Sequence, residues 1–255
     1  MSLRRVSPSA RVALAPNPGP MTLDGTNSYV LAGPSAAGVV VVDPGPPDAA
    51  HLGALTSAGP VSLILITHRH HDHTESAAEL RSRTGAPVRA VDPVHCHGGA
   101  PLQPGERITA AGLSIDVLGT PGHTDDSVSF HLPGDGPAPG SVLTGDTVLG
   151  RGTTVIAHPD GSLGDYLDSL RLLAALGPAH VLPAHGPDLP DLTAVCAAYL
   201  AHREERLAAI SAVLATAGPD ASVEAVTDAV YTDIDPSVRW AAERSVAAQL
   251  AYLRG

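Results

Sequence analysis

The sequence contains no lysine, only two cysteines and very few aromatic residues. All 15 basic residues are arginine, and the 26 acidic residues give a formal net charge of −11. The overall field of such a chain does not attract nucleic acid or anionic lipid, so only a local basic patch would do so. Two cysteines, Cys96 and Cys196, are too few for the disulfide framework of a small secreted domain, and we interpret both as inert thiols.

Long apolar runs are also absent. No uninterrupted apolar stretch approaches the roughly 20 residues that a membrane-spanning helix requires. Segment 1–11 contains three arginines with no apolar run behind them, which differs from a secretory signal. We therefore expect a cytoplasmic protein without a membrane segment. The 255 residues, 44% hydrophobic but only 3% aromatic, suffice for one large domain with a small appendage and a core of aliphatic side chains.

Strand-like and helix-like patterns alternate over the first 190 residues. Segments 25–31 and 38–42 predict a hairpin, and the continuous apolar run 61–67 predicts a strand buried on both faces. Ser162 and Asp165 match a capping box at the start of a helix over 163–176. This order predicts an α/β fold with a layered core.

From residue 192 onward the pattern is helical. It predicts a long helix over 192–217, a short helix after Ser222 and a last helix over 236–253. We therefore place a domain boundary near residue 200, between a catalytic region 1–200 and a helical region 201–255.

A histidine-rich segment directly follows the predicted strand 61–67. Four histidines and one aspartate occupy six positions: His68, His70, His71, Asp72 and His73. Imidazole nitrogens and carboxylate oxygens are the ligands that Zn²⁺ prefers. His68 and His70 can point the same way, whereas a turn can aim Asp72 and His73 at a second point. One metal cannot use four of these ligands and stay open to substrate, but two metals that share the segment can.

Three further candidate ligands follow strand-like runs downstream: His123, Asp146 and His185. Each lies beside a glycine or another small residue, which lets the backbone approach a crowded site. Loops at strand ends are where α/β folds usually carry their functional residues. The pattern of strand, sharp turn and ligand therefore repeats three times.

The segment 68–73 resembles the H-x-H-x-D-H signature of the metallo-β-lactamase superfamily, and His123, Asp146 and His185 match its later ligands in order. This resemblance covers about residues 10–200. It implies a four-layer αββα sandwich with the metals at one edge, between two sheets. It also implies that His68, His70 and His123 bind one metal, that Asp72, His73 and His185 bind the other, and that Asp146 bridges both.

The resemblance further implies a hydrolase in which two divalent metal ions share a bridging hydroxide as the nucleophile. We expect zinc, although the ligand set also tolerates manganese or iron. Asp72 would orient the nucleophile and carry its proton, so we count it as both ligand and catalytic residue.

Four other polar residues have two readings each. His71 occupies a non-ligand position of the signature and would act as a catalytic residue or only line the site. His158 would donate a proton in the cleft or lie on a surface loop. Glu75 would hydrogen-bond a ligating histidine or cap a helix, and Asp43 would brace the ligand loops or serve as a turn residue.

Within the superfamily, a bridging aspartate resembles the branch of glyoxalase II and ribonuclease Z. Segments 25–29, 145–154 and 202–206 resemble the β-lactamase-like protein 2 group, which implies a winged-helix-like C-terminal region. The resemblance to that group implies an alternative function, that of a single-strand-specific endoribonuclease. A basic edge that binds RNA would then be formed by Arg203, Arg206, Arg239 and Arg244. The acidic charge and few aromatics argue against RNA, so a small ester, thioester or lactone is the favoured substrate.

A second class of function is non-catalytic. The C-terminal region would then bind nucleic acid, and the metal region would act as a sensor. The last helix offers only Arg239 and Arg244 beside Glu243, which is a weak recognition surface. A helical lid over the site, or a surface for a homodimer, explains the C-terminal region better.

Overall fold

The computed structural model describes residues 2–156, 158–233 and 235–255. Its strands are β1 (Arg4–Arg5), β2 (Ala10–Leu14), β3 (Asn27–Leu31), β4 (Val39–Val42), β5 (Val61–Leu65), β6 (Val88–Arg89), β7 (Arg107–Ala110), β8 (Leu113–Gly119), β9 (Val128–Leu132), β10 (Ser141–Gly145) and β11 (His180–Pro183). Its α-helices are α1 (Ala49–Thr56), α2 (His71–Thr74), α3 (Ala77–Thr84), α4 (Leu163–Ala174), α5 (Leu192–Ala217), α6 (Val223–Val230) and α7 (Arg239–Arg254). Two 3₁₀ helices cover Pro93–His95 and Pro236–Val238.

The strands form two mixed sheets. The first has the order β1-β2-β3-β4-β5-β6, and the second has the order β11-β10-β9-β8-β7. Pairing is antiparallel from β1 to β4 and parallel from β4 to β6. In the second sheet only β10 and β11 pair in parallel. The predicted hairpin is confirmed, because β3 pairs antiparallel with β4.

The two sheets pack face to face between two layers of helices. Successive side chains of a strand point to opposite faces, and β4 shows this directly. Val40 and Val42 join the core between the sheets, together with Phe130 of the second sheet. Val39 and Val41 pack on the other side, among side chains of α1 and α3. The outer face of the second sheet is covered by α4 and α5. The predicted αββα sandwich is confirmed.

Several predicted elements agree closely with the observed ones. The Ser162 side chain accepts a hydrogen bond from the backbone N–H of Asp165 and caps α4. Helix α5 has the predicted bounds, and burial raises the pKa of its Cys196 thiol to about 12, as an inert thiol requires. The pattern did not predict β2, whose five residues do not alternate strictly between buried and exposed positions.

The C-terminal region is helical, as expected, and residues 184–233 and 235–255 contain no strand that could serve as a wing. Helix α5 runs through the boundary placed near residue 200. Its Tyr199 packs with α4, whereas its Ile210 packs with α6 and α7. The division into regions 1–200 and 201–255 stays a prediction. Within the described parts of the chain, none of the helices has the length and apolar character needed to cross a membrane.

The expected basic edge of the C-terminal region is not continuous. The Arg203 side chain is buried because it faces the body of the protein. The Arg239 guanidinium pairs with Asp228 at 2.7 Å and Glu243 at 2.8 Å, so its charge is neutralised. Of the four arginines, only Arg206 and Arg244 are neither buried nor paired with a carboxylate among the described residues. This arrangement weakens the argument for a nucleic-acid surface.

Candidate metal centre

Four loops at one edge of the sandwich bring the sequence-predicted side chains together. The segment with His68 and Asp72 follows β5, His123 follows β8, Asp146 follows β10 and His185 follows β11. Helix α2 begins inside the histidine-rich segment, at His71, and its single turn separates the first two histidines from Asp72 and His73.

The first group consists of His68, His70, His123 and Asp146, whose candidate ligand atoms all lie within 4.8 Å of one another. His70 Nδ1 lies 2.9 Å from His68 Nε2 and 3.0 Å from His123 Nε2. Three imidazole nitrogens this close repel one another if each presents a lone pair, unless a cation or a proton lies between them. The convergence therefore fits a bound cation.

The second group consists of Asp72, His73 and His185, again with ligand atoms within 4.8 Å of one another. Asp72 Oδ2 lies 3.3 Å from His73 Nε2 and 3.2 Å from His185 Nε2. Thr26 Oγ1 donates a hydrogen bond to the same carboxylate oxygen at 3.1 Å. This set combines two imidazole nitrogens with one carboxylate oxygen, which also fits a divalent cation.

Asp146 lies between the two groups, and its two oxygens face different partners. Oδ2 is 3.6 Å from His123 Nε2 and 3.9 Å from His68 Nε2. Oδ1 is 3.3 Å from His185 Nε2 and 3.7 Å from His73 Nε2. Both Asp146 Oδ1 and His73 Nε2 are buried without a hydrogen-bond partner among the residues that the structure describes. Buried polar atoms are normally satisfied, so these two unpartnered atoms suit the binding of a cation.

The outer nitrogen of four histidines is held by an oxygen. Val155 O lies 2.6 Å from His123 Nδ1, and Gly25 O lies 3.1 Å from His185 Nδ1. A carbonyl oxygen can only accept, so Nδ1 carries the proton and Nε2 presents its lone pair to the centre. The remaining two outer contacts have the same consequence: His68 Nδ1 lies 3.1 Å from Thr67 Oγ1, and His73 Nδ1 lies 2.9 Å from Asp43 Oδ2.

Asp43 braces the ligand segment, which confirms one of its two readings. Its Oδ1 accepts from the backbone N–H of Thr67 at 2.8 Å, and its Oδ2 accepts from Thr67 Oγ1 at 2.7 Å. Because the Thr67 proton is committed to Asp43, Thr67 Oγ1 is free to accept from His68. One buried carboxylate thus fixes the ring orientation of both His68 and His73.

The glycines beside His123 and Asp146 permit a close approach of the backbone. Gly122 has φ +135°, and a Cβ there would overlap the backbone of Tyr166. Gly145 has φ +51°, and a Cβ there would lie 2.8 Å from Thr67 Cβ. Both positions need glycine for conformation and for space, as the sequence pattern predicted.

Burial and neighbouring charges shift the pKa values of histidines in the two groups in opposite directions. In the first group, burial and then the His123 ring lower the pKa of His70 to about 4, and burial lowers the pKa of His68 as well. In the second group, burial alone would lower the pKa of His185, but the carboxylates Asp146 and Asp72 outweigh it and raise that pKa to about 10. The carboxylates likewise raise the pKa of His73 above its ordinary value.

Acidification should therefore release a cation from the second group first. Protons bind His185 below about pH 10, and the pKa of His73 is raised as well, so protons compete with a cation there and its affinity falls as the pH falls. His70 stays neutral above about pH 4, so the first group keeps its affinity. Dialysis from pH 8 to pH 5.5 should lower the metal content from about two to about one per chain, measured by mass spectrometry of the metal.

Two variants make this titration specific. His185→Ala should remove the pH-dependent fraction of the bound metal. His180→Gln is the matched control, because His180 pairs with Asp188 at 2.9 Å and belongs to neither group. Loss of both cations together at a single pH would contradict the assignment of the pKa shifts to two separate groups.

A further residue of the ligand segment was not predicted from the sequence. The Arg69 guanidinium lies between His68 and His70 in the chain and forms ion pairs with Asp125, with Asp126 at 3.2 Å and with Asp160 at 3.1 Å. It therefore ties the first ligand loop to the loop of His123. The sequence around Arg69 did not indicate these ion pairs, because the partner carboxylates lie far from Arg69 along the chain.

Three of the predicted residues lie outside both groups. His71 is exposed at the start of α2, and Glu75 is exposed at its end. His158 is half-buried in the loop that follows Val155, and its backbone N–H donates to Ile156 O at 2.9 Å. The catalytic roles of His71 and His158 stay predictions.

Comparisons with known proteins agree with this geometry. The sequence profile of the family described as Metallo-beta-lactamase superfamily matches residues 21–185, which include all seven side chains. The chain is 30% identical to the Beta-lactamase-like protein 2 homolog of Caenorhabditis elegans, over 96% of this chain and 83% of that protein. It is similar to the metallo-beta-lactamase family protein TTHA1429 from Thermus thermophilus, with TM-score 0.72, 25% identity and coverage of 97% and 93%. A protein solved in a di-iron-bound form, TTHA1623, gives TM-score 0.57 and 26% identity, with coverage of 71% and 94%.

Proposed function

The chain belongs to the metallo-beta-lactamase superfamily, and from this premise we propose that it hydrolyses a small ester, thioester or lactone. Members of this superfamily are generally metal-dependent hydrolases. The observation that carries the proposal is the convergence of His68, His70 and His123 on one side of Asp146, and of Asp72, His73 and His185 on the other.

We assign the first three histidines to one divalent cation and the second three residues to another, with Asp146 shared. Five imidazoles and two carboxylates suit zinc, manganese and iron alike. Zinc is our first choice because neutral imidazoles dominate the set. The di-iron form of TTHA1623 makes iron the first alternative. When bound, the two cations would polarise the substrate carbonyl and lower the pKa of water towards neutrality.

Asp72 is the more accessible of the two carboxylates in this site. Its carboxylate is 26% exposed, whereas that of Asp146 is 12% exposed. Burial raises its pKa, but His73 and His185 outweigh burial, so that the pKa lies below its ordinary value and the group is ionised. The Thr26 hydroxyl, itself held by Asn17 at 2.9 Å, orients Asp72 Oδ2. As an ionised and partly exposed carboxylate, Asp72 can orient an attacking water, and because its pKa is low it would hold the proton of that water only transiently before passing it on.

A panel of substrates tests the proposal. Short acyl thioesters, aryl esters, lactones, phosphodiesters, single-stranded RNA and nitrocefin are assayed with the purified protein, each with and without a chelator. We expect turnover of at least one thioester, ester or lactone, and a loss of about 10³-fold or more after chelation. Restoring zinc should restore the rate.

Two outcomes of the panel contradict the proposal. Chelator-resistant turnover would remove the metal-dependent mechanism. Exclusive cleavage of RNA or of phosphodiesters would exclude the ester, thioester and lactone substrates and would favour an endoribonuclease.

A further inference from the structure

A cavity of about 380 Å³ is shared by the metal centre and the C-terminal helices. His123 and Asp146 form part of its lining. Residues of α5 and α7 also line it, including Arg203, Arg206 and Ala241. Its volume falls in the range of small-molecule sites. The helical region is therefore a wall of the site.

Arg203 is a buried cation without an acidic partner. Its side chain is 3% exposed, and no carboxylate pairs with it in the part of the chain that the structure describes. Its Nη2 donates to Thr154 O, and its guanidinium lies 5.1 Å from the ring centroid of Tyr166. Its Nε has no hydrogen-bond partner within the described part of the chain. Buried charges are normally paired, because burial of an unpaired charge is costly. The surroundings of Arg203 therefore favour the binding of an anion.

Arg206 lies one helical turn further along α5, on the same cavity. Its guanidinium carbon is 4.9 Å from the ring centroid of Tyr231. Stacking on a ring uses the face of the guanidinium and leaves the N–H groups of its edge free to donate. Arg206 likewise has no acidic partner among the residues described. Burial, and then Arg203 and Arg206, lower the pKa of the adjacent His202, as expected of a positive field.

The remaining charges of the cavity do not offset these two. Arg151 also lines the cavity, but its guanidinium is neutralised by Asp24, with Nη2 2.9 Å from Asp24 Oδ1. Among the described lining residues, Asp146 is the sole carboxylate, and we assign it to the metals. The part of the cavity lined by α5 is therefore positive in a chain whose net charge is −11.

We propose that Arg206 and Arg203 form an anion-binding subsite, which holds a carboxylate or phosphate group of the substrate while its scissile bond lies at the metal centre. The subsite rests on the proposed function, and it narrows the substrate class to acids. Apolar side chains also line the cavity, among them Met21, Leu23 and Val155. The substrate is therefore an ester, thioester or lactone with a short apolar segment and a terminal negative charge.

The kinetic test uses three matched thioesters. One acyl chain ends in a carboxylate, the second in the methyl ester of that carboxylate, and the third in a phosphate monoester. We expect the wild-type protein to favour one charged member over the neutral one by about 10- to 100-fold in kcat/KM. Arg206→Gln should abolish that preference and leave kcat/KM for the neutral thioester within about twofold. The preferred charged member identifies the group as carboxylate or phosphate.

Arg244→Gln is the matched control. Arg244 also lies near an aromatic ring, with its guanidinium carbon 5.8 Å from the Trp240 centroid, but it is exposed and does not line the cavity. The substitution removes the same charge from the same region, so it should keep the preference for the acid. Equal loss in both variants would show a general effect of net charge and would overturn the subsite.

A binding measurement separates failure of the subsite from failure of the function. Inorganic phosphate and glutarate are titrated by calorimetry into the metal-loaded protein at constant ionic strength. We expect Arg206→Gln to weaken binding of one of them by about tenfold or more. If no thioester is hydrolysed but this difference persists, the subsite stands and the function fails. If thioesters are hydrolysed without regard to charge and binding is unchanged in Arg206→Gln, the function stands and the subsite is wrong.

Discussion

Asp146→Asn should lower the metal content from about two cations per chain to about one or fewer, and kcat/KM by about 10³-fold. Asparagine keeps the size of the side chain but removes its negative charge and one of its oxygens. In the native protein each oxygen faces a different group, at 3.3 Å from His185 and 3.6 Å from His123. No amide can serve both sides, because its nitrogen is not a metal ligand. Metal analysis and steady-state kinetics on the same preparation measure both effects.

Asp116→Asn is the control for this prediction. Asp116 lies in β8 and pairs with the largely exposed Arg107 at 2.5 Å, on a part of the sheet outside both groups. Loss of such a pair has little effect, so metal content and rate should match the wild type. If Asp146→Asn kept two cations, Asp146 would not be shared between the groups, and the proposed site would lose its centre.

The ligand set could be predicted because each ligand follows a strand and lies beside a local signal. The histidine-rich segment follows the apolar run of β5, and Gly122 and Gly145 precede His123 and Asp146. The layered fold was predictable for the same reason, since apolar runs such as β4 show burial on both faces. These signals are local in sequence, and tertiary packing preserves them.

The partners of the ligands could not be predicted in this way. His123 and His185 are held by the backbone carbonyls of Val155 and Gly25, and every residue has such a carbonyl. A charged side chain on a long helix predicts exposure, yet Arg203 is buried. It lies on α5 between the residues that pack into one hydrophobic cluster and those that pack into the next. Segment 25–29 was singled out only because it resembles a family motif, and its sequence did not indicate a physical role. In the structure Asn27 donates to Pro183 O and Gly186 O and so fixes the loop of His185.

Asp72→Asn should lower kcat by about 10³-fold while the protein keeps at least one cation. The variant loses a ligand of the second group and the carboxylate that we propose as proton carrier. These two losses are separable, because excess zinc can refill a weakened site but cannot restore a base. Kinetics across a zinc titration, with metal content measured at each point, therefore distinguish them. We expect the metal content to return to about two per chain and the rate to stay at least about 100-fold below wild type.

Thr26→Val is the graded companion of this variant. It removes the hydroxyl that donates to Asp72 Oδ2 at 3.1 Å and keeps the carboxylate itself. A hydrogen bond to a charged acceptor contributes about 1.5–3 kcal/mol, so kcat should fall by about tenfold or somewhat more, with both cations retained. If excess zinc fully restored the kcat of Asp72→Asn, Asp72 would act only as a metal ligand. In that case the proton must be carried by another group, and His158, in the half-buried loop beyond Val155, becomes the next residue to replace.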